Sequence, residues 1–464
     1  MSTLDTHITE LSALLGENGV LVDEDVSGRS ARIWTDETVQ AAAIVRPRNT
    51  NEISKILRYC HAANQPIVVH GGLTGLVDGA RTTPSDIVLS TELMNKIESI
   101  DKTGRTMTVQ AGVKLQHVQE AAESEGLLFP LDLGARGSCT IGGNIATNAG
   151  GNRVIRYGMT RDMVLGAEVV LADGTIVSSM NDMIKNNAGY DLKQVFIGTE
   201  GSLGVVARAV LRLREQPVTD ESVFMGVDEF DKLPAVLKQM DQRLGGTLTS
   251  FEVMWNDFYS LMCGPDSNHQ PPIPLDFPYY VLVEAWGGDA DTDRQRMESA
   301  VESLYEDGLI GNAAIAQSVA QRNAFWAIRD DVERCMTVHP TFVFDVSLRI
   351  GDMENYIEEV NRRLTKEFGT YRIYTFGHLG DGNLHFAINT GADPNDQHPV
   401  ERCVYEPLRA INGSISAEHG IGLEKKQYLD ISRSEIEVDF MRTLKKSLDP
   451  KGILNPGKIF ELNC

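Results

Sequence analysis

Cysteine is scarce and unpatterned in this chain of 464 residues. Cys60, Cys139, Cys263, Cys335, Cys403 and Cys464 are scattered, with no CxxC pair among them. That spacing excludes a disulfide framework and fits a reducing compartment in which the thiols are buried or idle. Positive charge is also short: 43 Lys and Arg against 65 Asp and Glu leave a formal charge of −22. Such a chain repels phosphate backbones and anionic lipid, which excludes nucleic acid or a membrane surface as the main partner. An anionic substrate has to be drawn in by local groups. The N-terminal stretch MSTLDTHITELSALLGENG is acidic and has no long apolar run, so it reads as neither signal peptide nor membrane span. The expectation is a cytoplasmic protein. No internal repeat, heptad array or low-complexity tract is present.

What is present begins with a polar first helix, then a strand at Ala41–Val45 ended by Pro47. Asn49 to Glu52 has the spacing of a helix-capping box, and Ile53, Ile56, Leu57 and Cys60 fall at i, i+3, i+4 and i+7, one buried face of a helix. Pro66–Val69 is a second strand that runs into the loop Gly71-Gly72-Leu73-Thr74-Gly75. Val169–Val177 predicts a hairpin turning at Asp173-Gly174, and Gly204–Leu213 another strand, so this half is α+β. Near Glu215-Gln216-Pro217 the glycine density falls, and charged helical stretches alternate with strands such as Tyr279–Glu284 and Thr341–Leu348, which marks a domain boundary.

A diphosphate needs backbone N–H groups at close range, and glycine permits both the tight turn and the approach. Gly71, Gly72 and Gly75 supply this, with G-G-x-x-G spacing instead of the GxGxxG of a dinucleotide fold, which disfavours NAD. Alone, the loop fits a plain turn equally well. A second run from Leu131 to Asn144, continuing through Thr147 to Gly151, is rich in Gly, Ser, Thr and Asn and too costly to order for a mere connection.

These two runs, with Asn187–Lys193, Gly198–Gly204 and the closing Asn455-Pro456, resemble the flavoproteins of the vanillyl-alcohol-oxidase class, and within it the FAD-linked D-2-hydroxyacid dehydrogenases. The resemblance runs from about Arg32 to Phe460. It implies an α+β fold: a two-piece FAD-binding domain over 1–217, an antiparallel-sheet substrate (cap) domain with helices on one side over 218–415, and a segment 416–464 returning to the FAD domain. It also implies FAD contacts from Gly71, Gly72, Leu73, Thr74, Gly75, Pro130, Gly134, Ser138, Gly142, Asn144, Thr147, Gly204, Val206 and Asn455. Some members of the class bind flavin covalently through a histidine just after the paired glycines. Here that position is Leu73, and His70 precedes the glycines, so the FAD is expected to be non-covalent.

The sharpest chemistry lies in GHLGDGNLH, residues 377–385. A two-residue turn at Asp381-Gly382 would set His378 opposite His385, with Cβ atoms about 5 Å apart, close enough to pinch a metal ion. Glu418 and His419 follow downstream. Two histidines and one carboxylate leave open positions on zinc or a similar divalent metal, as catalysis requires. The resemblance implies His378, His385 and Glu418 as ligands and His419 as a substrate-facing base. The expected chemistry is a metal-held 2-hydroxy acid losing its hydroxyl proton to His419 and a hydride to flavin N5.

Arg329 matches the arginine with which the resembled enzymes grip a substrate carboxylate, a pairing favoured by its planar donor fork. Three neighbouring positions depart from the hydroxyglutarate pattern: Glu333 replaces a threonine, Val343 a lysine and Ala387 an asparagine. A second substrate carboxylate loses support there, which predicts a less polar tail pocket. The electron acceptor is expected among quinone, electron-transfer flavoprotein and cytochrome, and a homodimer is allowed. Two other readings are an oxygen-using FAD oxidase of phenols or sugar alcohols, which needs no metal, and an electron-transfer subunit of a hydroxy-acid oxidase complex, which predicts a degenerate metal site.

Overall fold

Asn49 caps a long helix in the N-terminal half of the chain: its side chain accepts the Glu52 N–H at 3.0 Å, and Glu52 turns back to the Arg48 N–H at 2.8 Å. The helix Thr50–Ala63 that follows ends on Asn64 in the left-handed conformation. Its face of Ile53, Ile56, Leu57 and Cys60 is wholly buried, as the spacing predicts. The computed structural model describes residues 2–391 and 393–462; Cys464 lies outside them. The chain forms two compact units.

The first unit contains the chain up to Gly151, Gly158–Gln216 and the chain from Glu418. Its first sheet has Val20–Leu21 (β1), Ala43–Val45 (β2), Ile67–His70 (β3) and Ile87–Ser90 (β4) in the order β1-β2-β4-β3. β4 runs parallel to both β2 and β3, an arrangement that needs crossovers such as the helix Thr50–Ala63. Its second sheet is antiparallel: Ile97–Asp101 (β5), Thr106–Gln110 (β6), Val164–Val170 (β7), Ile176–Ser179 (β8) and Val205–Arg212 (β9), in the order β5-β6-β9-β7-β8. The β7–β8 hairpin turns through Gly174, as expected. The buried helix face packs with Val45, Ile67 and Leu89 of one sheet and Val170, Val205 and Ala207 of the other.

The C-terminal segment adds itself to the edge of β3. Ile67 N–H donates to Ile453 O, and Asn455 N–H to Ile67 O, both at 2.8 Å. A buried Lys445–Asp449 pair fixes that segment. Lys445 Nζ also donates to Ser202 O and Leu454 O at 2.7 Å, and Asp449 accepts the Ile453 and Leu454 N–H groups.

The second unit contains 152–157 and 217–417. Its seven strands are Thr219–Val227 (β10), Leu248–Trp255 (β11), Tyr279–Gly287 (β12), Asn312–Ile315 (β13), Phe342–Ser347 (β14), Arg372–His378 (β15) and Asn383–Asn389 (β16). They form one antiparallel sheet in the order β13-β10-β12-β11-β15-β16-β14. Helices cover both faces, not the one expected. Tyr356 of the helix Met353–Phe368 meets Phe386 on one face. Phe258 and Phe325, from the helices Asn256–Cys263 and Val319–Asp330, pack with Met254 and Phe376 on the other. Among the described residues, no helix is long and apolar enough to cross a membrane.

Residues 152–157 were expected inside the FAD-binding stretch, yet they belong to the second unit. Two arginines hold them there. Arg153 forms a double ion pair with buried Glu284 (Nε–Oε1 2.9 Å, Nη2–Oε2 3.2 Å) and lies 4.0 Å above the Trp286 ring. Arg156 donates to Thr247 O and Trp286 O. Glu284 also accepts from Thr249 Oγ1 and the Trp326 indole N–H. Removing one partner of such a pair strands a buried charge. Arg153→Leu is therefore expected to cost about 3–5 kcal/mol, read as a lowered urea midpoint, whereas substitution at exposed Arg362 should leave the midpoint unchanged.

Candidate active site

In the first unit β3 delivers the chain into the glycine loop. A Cβ on Gly71 would come within 2.7 Å of Thr140 Oγ1, and one on Gly72 within 2.2 Å of Ser138 O. Gly142 is similarly tight against Ala111, at 2.7 Å. These glycines let one loop lie directly on the other. By contrast nothing lies within 4 Å of a Cβ on Gly75 or Gly134. Leu73 adopts a left-handed conformation with φ 56°, and His70 is occupied by Ala80 O at 2.8 Å. Burial pushes the His70 imidazole down to about 4.

Of the fourteen residues expected to hold FAD, Gly71, Gly142, Gly204, Val206 and Asn455 line one cavity, together with Thr91, Ala146 and Glu200. The other nine lie outside that lining. Asn144 sits in the helix Ile141–Thr147, which contributes Gly142, Gly143 and Ala146 to the lining, and its Nδ2 is buried with no protein partner. A glycine-built hollow beside an orphaned amide fits a polar cofactor. The Asn455 side chain is engaged in shaping the hollow: Oδ1 accepts the Val69 N–H at 2.8 Å, and Nδ2 donates to Glu200 O at 2.5 Å.

Glu200 is the residue of this unit that sequence reasoning missed, although its motif was singled out. Its carboxylate is buried and accepts the Ile421 N–H at 2.7 Å and the Gly422 N–H at 2.9 Å. Burial is the largest influence on its pKa and raises it, against those two hydrogen bonds. Gly420 lies so close that a Cβ would meet Glu200 Oε1 at 2.8 Å, and a Cβ on Gly422 would fall 1.9 Å from Val77 O. The turn after His419 is thus held against Glu200 and Val77. Just before it, Glu418 Oε1 accepts the Gly151 N–H at 2.8 Å.

In the second unit the expected pairing of His378 with His385 is corrected. His385 stands opposite Phe376, and His378 opposite Glu252 of β11. The connection is longer than a two-residue turn: Leu379–Asp381 forms a helical turn closed by the Gly382 N–H on Leu379 O, with Gly382 at φ 85°. The imidazoles still meet, as a diagonal pair on one face, with ring centroids 5.4 Å apart and planes at 84°.

That face carries a row of buried polar groups. Glu252, fully buried, accepts from Ser250 Oγ, His378 Nδ1 and Arg329 Nε, each at 2.8 Å. With Nδ1–H donated to Glu252, His378 Nε2 is left as an acceptor, and Arg329 Nη2 donates to it at 3.3 Å. At the other end Asp345, also fully buried, lies 4.0 Å from His385 Nδ1 and accepts from Asn383 Nδ2, Ser416 Oγ and the Ala417 N–H. The backbone at Ser416 and Ala417 is therefore tied to the strand beside His385.

Val343 and Ala387 pair directly across β14 and β16, and Ala387 pairs in turn with Tyr374. This row lies two residues from the Asp345–His385–Phe376 row, on the same face. Glu333 is exposed, in the helical turn Val332–Met336.

The chain matches the FAD binding domain family over residues 41–179 and the C-terminal domain of FAD linked oxidases over 216–459. A D-2-hydroxyglutarate dehydrogenase of Stutzerimonas stutzeri is 36% identical, covering 98% of both chains. A putative mitochondrial D-lactate dehydrogenase of Schizosaccharomyces pombe is also 36% identical, over 98% of this chain and 90% of its own. This chain belongs to the FAD-linked oxidase family that includes the D-2-hydroxyglutarate dehydrogenases. The structure of p-cresol methylhydroxylase superposes with a TM-score of 0.79 at 15% identity, covering 100% of this chain and 98% of that one. It bears out the vanillyl-alcohol-oxidase fold expected from the glycine runs.

For an FAD-linked oxidase, the residues that sequence reading passed over are the buried carboxylates Glu200, Glu252 and Asp345. Their signal was faint, since each sits in an otherwise strand-like or glycine-rich context and finds its donors only across strands or loops. Glu200→Leu leaves two N–H groups without an acceptor, each worth about 1–3 kcal/mol. It should lower the thermal midpoint markedly, while Glu200→Gln, which keeps one acceptor oxygen, loses less.

Proposed function

We propose that this FAD-linked oxidase converts a D-2-hydroxy acid to the 2-oxo acid, with non-covalent FAD in the glycine hollow of the first unit and a divalent metal, zinc or similar, held by His378, His385 and Glu418. The observation that carries the metal assignment is the His378–Glu252 contact, which leaves Nε2 as the electron-pair donor. Two imidazoles and a carboxylate form a donor set with room for substrate. Glu418 directly follows Ala417, whose N–H is fixed to Asp345 beside His385.

When bound, the metal would polarise the C2 hydroxyl and FAD would accept the C2 hydride. His419 takes the hydroxyl proton; the turn that follows it is fixed by the Ile421 N–H on Glu200. Arg329 attracts the substrate carboxylate, locally offsetting the acidic charge of the whole chain. Leu73 offers the flavin no nucleophile and His70 is engaged elsewhere, which supports non-covalent FAD. Beyond the 2-hydroxy acid, the Val343–Ala387 row supports a tail pocket suited to an apolar or monocarboxylic acid better than to hydroxyglutarate. The described cysteines, all buried and free, suit a reducing compartment, and we place the protein in the cytoplasm on that ground. The electron acceptor is a quinone, an electron-transfer flavoprotein or a cytochrome.

The test is anaerobic bleaching of the bound flavin by a panel of D- and L-2-hydroxy acids, before and after chelation and zinc return. D-acids should bleach it, chelation should stop bleaching, and zinc should restore it. Full rates in thoroughly metal-free protein would sink the metal reading. His419→Ala should keep its flavin and be reduced about 10²–10⁴-fold more slowly. On the tail, a monocarboxylic D-acid should outpace D-2-hydroxyglutarate; the reverse order overturns that part.

A further inference from the structure

Glu252 has no part in the proton or hydride transfer above, yet its carboxylate touches two residues that the scheme needs. It lies on β11, opposite His378 in the register of β11 and β15, so that contact is set by the sheet. Arg329 reaches it from a separate element, the last turn of the helix Val319–Asp330. The two carboxylate oxygens are divided between them: Oε1 takes His378 Nδ1 and Ser250 Oγ, and Oε2 takes Arg329 Nε. The triangle closes through Arg329 Nη2 on His378 Nε2 at 3.3 Å. Glu252 has no exposed surface and Arg329 and His378 are each about 5% exposed, so none of the three contacts is averaged by solvent.

We propose that Glu252 is a positioning residue for the reaction: one carboxylate fixes both the ring orientation of His378, with Nε2 as the ligating atom, and the guanidinium of Arg329. The inference rests on the roles given to His378 and Arg329 in the proposed function. A carboxylate that only balanced charge would need no division of its oxygens between a ring nitrogen on a strand and a guanidinium on a helix. Because both partners hang on one group, disturbing it should weaken metal binding and substrate binding together.

Glu252→Gln in the full-length flavoprotein tests this, since the carboxamide keeps the volume but has one oxygen to offer three donors. Zinc affinity, measured by competition with a chromogenic chelator, should fall about 10–100-fold. The KM for the best D-2-hydroxy acid should rise by about tenfold, with kcat changed less and FAD content unchanged. Glu252→Asp, which keeps the charge, should recover part of both losses. Unaltered zinc affinity and KM in Glu252→Gln overturn the proposal, even if the thermal midpoint drops, because that pattern marks a purely structural ion pair. If Glu252→Gln does not fold, Glu252→Asp decides: both parameters weakened supports positioning, both unchanged refutes it. Zinc bound as tightly by His378→Ala as by the unaltered protein would instead defeat the metal reading. Glu252 would then be judged by KM alone, where a rise in Glu252→Gln supports the proposal and no rise overturns it.

Discussion

A carboxylate removed from water must be surrounded by donors, and in the second unit that requirement organises a whole face of the sheet. Glu252 stays ionised at full burial only because His378, Arg329 and Ser250 converge on it from a neighbouring strand, a helix and its own strand. Asp345 imposes the same condition three strands away, gathering Asn383, Ser416 and the Ala417 N–H. Glu284 does so at the other side, where it recruits Arg153, Thr249 and Trp326. Each buried acid thereby fixes a loop or helix to the sheet, and two of them stand beside the histidines of the proposed metal site.

The nucleotide-binding unit solves a different problem, that of bringing two polar loops into direct contact. Gly71 and Gly72 have backbone or side-chain atoms of the facing loop where a Cβ would stand, and Gly142 has Ala111, just past β6. Their first task is loop-on-loop packing, and the hollow that fits a cofactor is its by-product. Glu200 extends the same device to the turn after His419, with its carboxylate acting as an acceptor for two successive N–H groups. Asn455 and the Lys445–Asp449 pair secure the closing segment to β3 and to Ser202, so the last residues of the chain support its first glycine loop.

Much of this was legible in the order of residues. The helix face Ile53–Cys60, the strand leading into Gly71, the hairpin at Gly174 and the α+β class follow from period, caps and turn residues, which act over a few positions and need no partner far along the chain. The FAD-linked family followed from glycine-rich runs long enough to be specific, and the domain matches agree. The histidines were found because rare residues clustered around a strong turn signal.

Their register was not legible, because the length of the connection after His378 depends on Leu379 and Gly382 packing in a helical turn, and a shift of pairing leaves the local pattern unchanged. Residues 152–157 were assigned to the wrong unit because their allegiance is decided by Glu284 and Trp286, more than a hundred residues away. Glu200, Glu252 and Asp345 look like ordinary strand or loop acids in the sequence. The chain by itself determined the fold class and the flavin family and offered the candidate side chains of the proposed site, since these depend on composition and short-range pattern. Tertiary structure alone decided which carboxylates are buried and which donors they hold, because burial and cross-strand contact exist only once distant segments have met.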